Sequence, residues 1–161
     1  RMRAKGRWIE GAIAAMCQSS RTAVAVLQRF GATACTDVTG FGLLGHLVEM
    51  TKASGVQVLL NLSSVPVLDG ALETSGAGLL SSLHSANVRL RRALADVERA
   101  ALDRRYPLLY DPQTAGGLLA GLPGDYAERC VEALHADGYD RAAIIGVVEQ
   151  QGADDFPVRL V

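Results

Sequence analysis

The spacing of apolar residues along the chain predicts four helices. Apolar residues recur every three or four positions over residues 8–30, 41–53 and 125–137, as they do on one face of a helix. A shorter helix is expected over residues 69–76. Glycines, which commonly end helices, follow the three longer segments at positions 31, 55 and 138.

Short runs rich in apolar and β-branched residues predict the strands between these helices. They lie over residues 33–38, 56–62, 118–122, 142–148 and 156–161, and we expect the run over 118–122 to be a buried strand. Strands and helices alternate without an internal repeat or a flexible linker. The pattern therefore predicts one α/β (α+β) domain over residues 1–161, with a mixed sheet covered by helices.

Two segments show weak periodicity. Residues 76–85 are rich in serine and glycine, and we expect a loop there that is mobile or responds to ligand. Residues 93–102 favour a helix only weakly. Residues 111–117, with the sequence Asp-Pro-Gln-Thr-Ala-Gly-Gly, have the composition of a turn.

Composition and charge exclude several classes of protein. Hydrophobic residues make up 49% of the chain, enough for a core, and the net charge of −1 argues against a nucleic-acid-binding protein. The three cysteines are widely spaced and form no Cys-x-x-Cys pair, which argues against a disulfide framework or a zinc site and favours a reducing cytoplasm. No apolar run approaches the ~20 residues of a membrane span.

The residues just before the second helix carry the candidate chemistry. Asp37 lies upstream of the helix start, between Thr36 and Thr39, and Gly40 and Gly42 follow. Free amides at a helix N-terminus attract phosphate, and glycines let a ligand approach the backbone. A carboxylate beside phosphate requires a cation between them, so the pattern predicts Mg²⁺ on a nucleotide.

Simpler interpretations of the same residues stay open at this point. Asp37 or Thr39 is also a favourable helix cap, and the glycines also permit close packing of a helix on a sheet. Gly40, Gly42 and Gly45 match Gly-x-Gly-x-x-Gly, but no acidic residue ends the next strand as a dinucleotide site requires. The segment also lacks the Gly-Lys-Ser/Thr ending of a Walker loop.

Two longer motifs resemble signatures of the selenophosphate synthetase (selenide, water dikinase) family. Residues 34–46, Ala-Cys-Thr-Asp-Val-Thr-Gly-Phe-Gly-Leu-Leu-Gly-His, resemble the first signature. Residues 111–119, Asp-Pro-Gln-Thr-Ala-Gly-Gly-Leu-Leu, resemble the second, in the same order along the chain. Residues 61–68 and 144–148 also resemble family segments, so the resemblance covers the chain from about residue 8 to 150.

The resemblance implies an aminoimidazole ribonucleotide synthetase-like C-terminal domain. Enzymes of this family convert selenide, ATP and water to selenophosphate, AMP and phosphate, and hold ATP between this domain and a dimerising N-terminal domain. The chain is then the C-terminal half of a larger, homodimeric enzyme, with residues 1–7 as linker, and is inactive alone. The nucleophile, a cysteine or selenocysteine, belongs to the N-terminal domain.

The resemblance also assigns roles to residues of this chain. It implies that Asp37 binds the metal on ATP, with Mg²⁺ and ATP as cofactors, and that Thr36, Thr39, Gly40 and Gly42 shape the phosphate site.

The chain departs from the family pattern at two places. Ala115 replaces a serine, and Asn87 stands as the retained member of an Arg-Asn pair. Two alternatives remain open, namely another ATP-binding enzyme of the same superfamily, and a non-catalytic binding or dimerisation module of a fusion protein.

The remaining polar residues have structural interpretations. We expect Cys17, Cys35 and Cys130 to be buried apolar residues, because no histidine or basic residue stands near Cys35 to activate it. His46 is expected to be a packed structural residue and Asp111 to start a turn, with a ligand contact by His46 and a second metal ligand at Asp111 as the alternatives. Arg89, Arg91 and Arg92 are expected to form a solvated face, with an anion patch as the alternative; their roles, like that of Asn87, stay open.

Overall fold

The computed structural model describes residues 4–95, 97–152 and 156–161. Its α-helices are α1 Gly6–Cys17, α2 Arg21–Arg29, α3 Gly42–Ser54, α4 Ala71–Gly76, α5 His84–Asn87, α6 Val97–Ala100 and α7 Gly124–Ala136. Short 3-10 helices lie at Leu62–Ser64, Val88–Ala93 and Tyr106–Tyr110.

The strands form two sheets. They are β1 Ala34–Asp37, β2 Val56–Leu60, β3 Leu118–Gly121, β4 Gly146–Gln150 and β5 Val158–Leu160. The order β4-β2-β5 makes a mixed sheet, because β2 pairs antiparallel with β4 and parallel with β5. β1 and β3 form a separate antiparallel pair. The predicted α/β (α+β) class with a mixed sheet covered by helices is confirmed.

Helix α3 lies in the larger of the two apolar clusters that the described residues form. Leu44, Leu47 and Val48 of α3 are buried against residues of β2 and β5, such as Leu60 and Val158. A second cluster joins α2 to α7. Because only four residues separate β1 from α3, this core also determines where the end of β1 lies.

The predicted single helix over residues 8–30 is wrong, because the chain breaks between α1 and α2. Tyr139, which follows α7, donates its hydroxyl to the carbonyl of Ser19 at 2.7 Å and accepts the amide of Ala23 at 3.1 Å. Gln18 also donates its side-chain amide to the carbonyl of Gly138 at 2.8 Å. These partners lie far away in sequence, so periodicity alone does not reveal the break.

Several predicted boundaries also change. The strand expected over residues 142–148 begins only at Gly146, and in β3 only Leu119 is buried, so β3 is not the buried strand expected. Residues 77–83 lie outside the helices and are exposed, as predicted for a loop, but residue 76 still belongs to α4 and residues 84 and 85 already belong to α5. Of the weakly predicted helix over 93–102, part is the 3-10 helix ending at residue 93 and part is α6, and residue 96 lies outside the described residues.

Gly116 and Gly117 form a matched pair for a stability test. A Cβ at Gly116 would overlap the carbonyl oxygen of Val38, whereas a Cβ at Gly117 would meet nothing within 4 Å. We expect Gly116→Ala to lower the free energy of unfolding by about 1–3 kcal/mol, and Gly117→Ala to change it by less than about 1 kcal/mol. Chemical denaturation of both variants measures the difference, and equal losses would contradict the close contact.

Candidate functional site

The two signature-like motifs meet through their backbones. The amide of Val38 donates to the carbonyl of Gly117 at 2.9 Å, and the amide of Gln113 donates to the carbonyl of Thr39 at 3.0 Å. These bonds extend the pairing of β1 with β3, in which Asp37 stands opposite Leu118. The connection from β1 to α3 is therefore held against residues 109–117, and we call this contact the backbone joint.

Gly42 lets the two segments approach at the backbone joint. Its φ of +69° lies in the left-handed region, and a Cβ there would stand 2.9 Å from the carbonyl oxygen of Leu109 and 3.1 Å from that of Asp111. Position 42 therefore requires glycine because the protein's own backbone fills the space that a side chain would need. Gly40 differs, because a Cβ there would meet nothing within 4 Å, so its backbone remains approachable.

Asp37 ends β1 with an exposed side chain. Among the described residues, no hydrogen bond or ion pair engages its carboxylate. Side chains alternate along a strand, so Asp37 shares its face of β1 with Cys35, while the half-buried Thr36 lies on the other face. The carboxylate is therefore free to bind a cation, and Thr36 does not point to the same side.

The start of α3 has no side-chain cap. Phe41 occupies the capping position, and the side chain of neither Asp37 nor Thr39 accepts a hydrogen bond from the first amides of the helix. The amide of Gly42 donates to the carbonyl of Thr39 at 3.0 Å and closes the turn before the helix. The capping alternative for these two residues is therefore not observed.

His46 holds this turn from inside the protein. Its Nε2 accepts the amide of Thr39 at 3.0 Å and lies 3.2 Å from the Thr39 hydroxyl, and the residue is only 6% exposed. An Nε2 that accepts leaves the ring proton on Nδ1, which faces Glu49 at 3.8 Å. The prediction of a structural histidine is confirmed, and the hydroxyl of Thr39 is directed to His46.

Asn87 has a site contact that the sequence did not specify. Its side-chain amide donates to the carbonyl of Gly40 at 2.9 Å and to the carbonyl of Tyr110 at 3.0 Å. One turn earlier in α5, Nε2 of His84 lies 3.0 Å from the carbonyl of Pro107, which it reaches as a donor. The signal available in the sequence was the place of Asn87 in the family pattern, which indicates importance but no partner.

Burial perturbs two ionisable groups beside the backbone joint. Burial raises the pKa of the Tyr110 hydroxyl far above its usual value, so the fully buried ring is a neutral core residue. Burial also raises the pKa of Asp111, while His84 and a hydrogen bond from Gln113 act in the opposite direction. Gln113 donates to both the carbonyl and the carboxylate of Asp111 at 3.2 Å, which agrees with a turn role for this aspartate.

The cysteines depart from expectation in two of three cases. Cys130 is buried as predicted, but Cys17 and Cys35 are exposed. Cys17 lies on α1, which has no buried residue, and Cys35 lies on the open face of β1. Partial burial, and secondly the charge of Asp37, raise the pKa of the Cys35 thiol, which makes it a poor nucleophile.

Three further features bear on function, namely possible metal clusters, the arginines near α5 and possible membrane-spanning helices. Within the described ranges, no three His, Cys, Asp or Glu side chains stand close enough together to hold a metal ion. Arg89, Arg91 and Arg92 are exposed, as a solvated face requires. None of the helices that the structure describes has the length and apolar character needed to cross a bilayer.

Comparison with known proteins gives the chain its family. Residues 13–158 match the family described as AIR synthase related protein, C-terminal domain. Selenide, water dikinase of Pelobacter propionicus is 40% identical over 142 residues, which are 88% of this chain and 41% of the relative. Enzymes of the same name from Porphyromonas gingivalis and Caldanaerobacter subterraneus are 40% and 33% identical, over 85% and 92% of this chain and 39% and 43% of the relatives.

The chain therefore spans about two fifths of the length of these relatives. The family model matches nearly the whole chain, and the relatives are more than 30% identical to it, so together they show to which family the chain belongs. The chain belongs to the AIR synthase-related proteins, and it corresponds to their C-terminal domain.

Proposed function

We propose that this chain is the C-terminal domain of a selenide, water dikinase. The complete enzyme would convert selenide, ATP and water to selenophosphate, AMP and phosphate. The identity to selenide, water dikinases and the two motifs joined in space support the proposal. In the complete enzyme the domain would contribute metal and phosphate binding, while the nucleophile would come from the N-terminal domain.

The observation that carries the proposal is the position of Asp37. Its carboxylate is exposed and unpaired among the described residues, and it ends a strand just before an uncapped helix start. A phosphate group at that helix start would be attracted by free amides, and a cation on Asp37 would offset the repulsion between carboxylate and phosphate. Anion and cation binding are thus provided side by side.

The donor set fits Mg²⁺ as a shared ion. Mg²⁺ commonly takes one or two protein carboxylates and completes its sphere with water and phosphate oxygens. One exposed carboxylate matches that need, and the described part of the chain offers no cluster that would bind the ion without a nucleotide. When bound, Mg²⁺ would neutralise charge on the nucleotide phosphates during transfer.

The other predicted site residues would have different roles, because Gly40, unlike Gly42, has open space beside it. Gly40 would expose its backbone to a phosphate, because nothing fills the space beside it. Gly42 and Thr39 would act through the shape of the turn, since protein backbone fills the space beside Gly42 and Thr39 bonds to His46. Thr36 would support the strand from the face opposite Asp37.

The proposal also includes the parts of the enzyme outside this domain. ATP would lie between this domain and the N-terminal domain, and the complete protein would be a homodimer in the cytoplasm, in agreement with three free cysteines. Residues 1–161 would be a single domain, in which residues 1–7 are the linker from the N-terminal domain. Helix α1 starts at Gly6, within that expected linker, and residues 1–3 lie outside the described residues.

Replacing Asp37 tests the metal role. In the full-length enzyme we expect Asp37→Asn to reduce selenide-dependent AMP release by at least about a hundredfold, because a neutral amide binds Mg²⁺ poorly. The melting temperature should be unchanged, since the side chain is exposed. Asp125→Asn, at the exposed start of α7, is the control and should keep full activity. Full activity of Asp37→Asn would exclude the metal role.

Nucleotide binding by the 161-residue chain is a second test. Asp37 offers a single exposed carboxylate, and the described residues form no cluster of three possible metal ligands, so we expect calorimetry to detect only weak Mg²⁺-ATP binding, with Kd above about 1 mM. Tight, Mg²⁺-dependent binding would show that this domain holds the nucleotide without its N-terminal partner.

The thiol of Cys35 reports the charge on Asp37. Since that charge contributes to the raised pKa of the thiol, Asp37→Asn should lower the pKa and speed alkylation of Cys35 by iodoacetamide near neutral pH. Peptide mapping separates Cys35 from the exposed Cys17, whose alkylation rate serves as internal control. An unchanged rate at Cys35 would mean that the two side chains do not interact.

A further inference from the structure

We infer that Asn87 is a positioning residue for the phosphate site, an inference that rests on the proposed function. Asn87 is 7% exposed and cannot contact a nucleotide over much of its surface. Its effect would be exerted through the turn that precedes α3.

The side-chain amide of Asn87 bridges two separate segments. One proton goes to the carbonyl of Gly40, before α3, and the other to the carbonyl of Tyr110, at the end of the 3-10 helix. Both donor positions of the amide are therefore used on backbone acceptors, 47 and 23 residues away in sequence. A buried side chain that satisfies two such carbonyls determines the distance between them.

These two carbonyls belong to the two segments that meet at Gly42. Gly42 packs against the backbone of residues 109–111 with a positive φ, and Gly40 lies just before it in the turn. No atom packs where a Cβ of Gly40 would be, so packing on its Cα does not hold Gly40. The Asn87 bridge therefore holds the part of the turn that is open to a ligand, and with it the direction of the first α3 amides.

An aspartate at position 87 would replace the donating amide of this bridge with a carboxylate of almost the same shape, which accepts hydrogen bonds instead of donating them. An ionised carboxylate would face two carbonyl oxygens and repel both, whereas the protonated acid can donate to one of them. Burial raises the pKa of such a group, so protonation would restore part of the bridge at mildly acidic pH. Alanine at the same position would lose both donors at every pH.

The test uses AMP release by the full-length enzyme. At about pH 8, Asn87→Asp should lower kcat/KM for ATP by about tenfold to a hundredfold, as misplaced supporting groups do. At about pH 6, its activity relative to Asn87→Ala should rise at least about threefold, because only the aspartate regains a donor. His84, Asp111 and Arg91, charged or ionisable groups on the elements around this bridge, are common to both variants, so their contribution cancels in the ratio.

A matched control separates positioning from stability. Thr51 is 1% exposed on α3 and donates its hydroxyl to the carbonyl of Val48 at 3.0 Å, away from the turn. Thr51→Val should lower the melting temperature but leave kcat/KM within about twofold, provided the assay temperature lies well below the transition. If Asn87→Asp behaves like Thr51→Val, or shows no pH-dependent recovery over Asn87→Ala, the positioning role is wrong.

Failure of the proposed function gives a different result. It would appear as absence of selenide-dependent AMP release by the unmodified full-length protein. Amide hydrogen exchange on the 161-residue chain then tests, without any activity, whether Asn87 holds the turn before α3. Asn87→Asp should speed exchange at Gly42 and Gln113, which donate to Thr39, while Asn61, which donates to Ile145 beside the other sheet, keeps its rate. Equal rates at Gly42 and Gln113 in both proteins would overturn the inference.

Discussion

The candidate site depends on direct contact between two stretches of backbone. Residues 38–42 lie against residues 109–117 so closely that Gly42 and Gly116 leave no room for a Cβ. Hydrogen bonds from Val38 and Gln113 cross the same contact. Since each buried amide and carbonyl would be costly to leave unpaired, the two stretches hold one another in a single arrangement. The open carboxylate of Asp37 and the start of α3 are placed by that arrangement.

The sequence predicted the main helices and the candidate site residues well, because periodicity and motifs are local features of the chain. Periodicity located α3 and α7 within a residue or two, and the family resemblance singled out Asp37 and the two motifs. The exposure of Asp37 agrees with the role it was given, although contact with a metal stays a prediction. Local propensity and a helix-start pattern are enough for such assignments.

The parts that sequence reasoning missed depend on residues that lie far apart in the chain. The break between α1 and α2 depends on Tyr139, which contacts residues 19 and 23 from beyond α7. Asn87 contacts carbonyls of two other segments, and no periodicity indicates which backbone atoms a polar side chain will reach. The exposure of Cys35 follows from a strand whose outer face is not covered by the described residues. In each case the tertiary packing around the residue, rather than local preference, decided the outcome.

The backbone joint also explains why one departure from the family pattern is tolerable. Ala115, which stands where a serine is usual, is exposed and lies next to Gly116. The contacts of the joint are made by amide and carbonyl groups, which every residue other than proline possesses. Divergence at position 115 can therefore change the outer surface of the loop without altering the geometry inside it. Relatives with different outer residues can share the same inner framework.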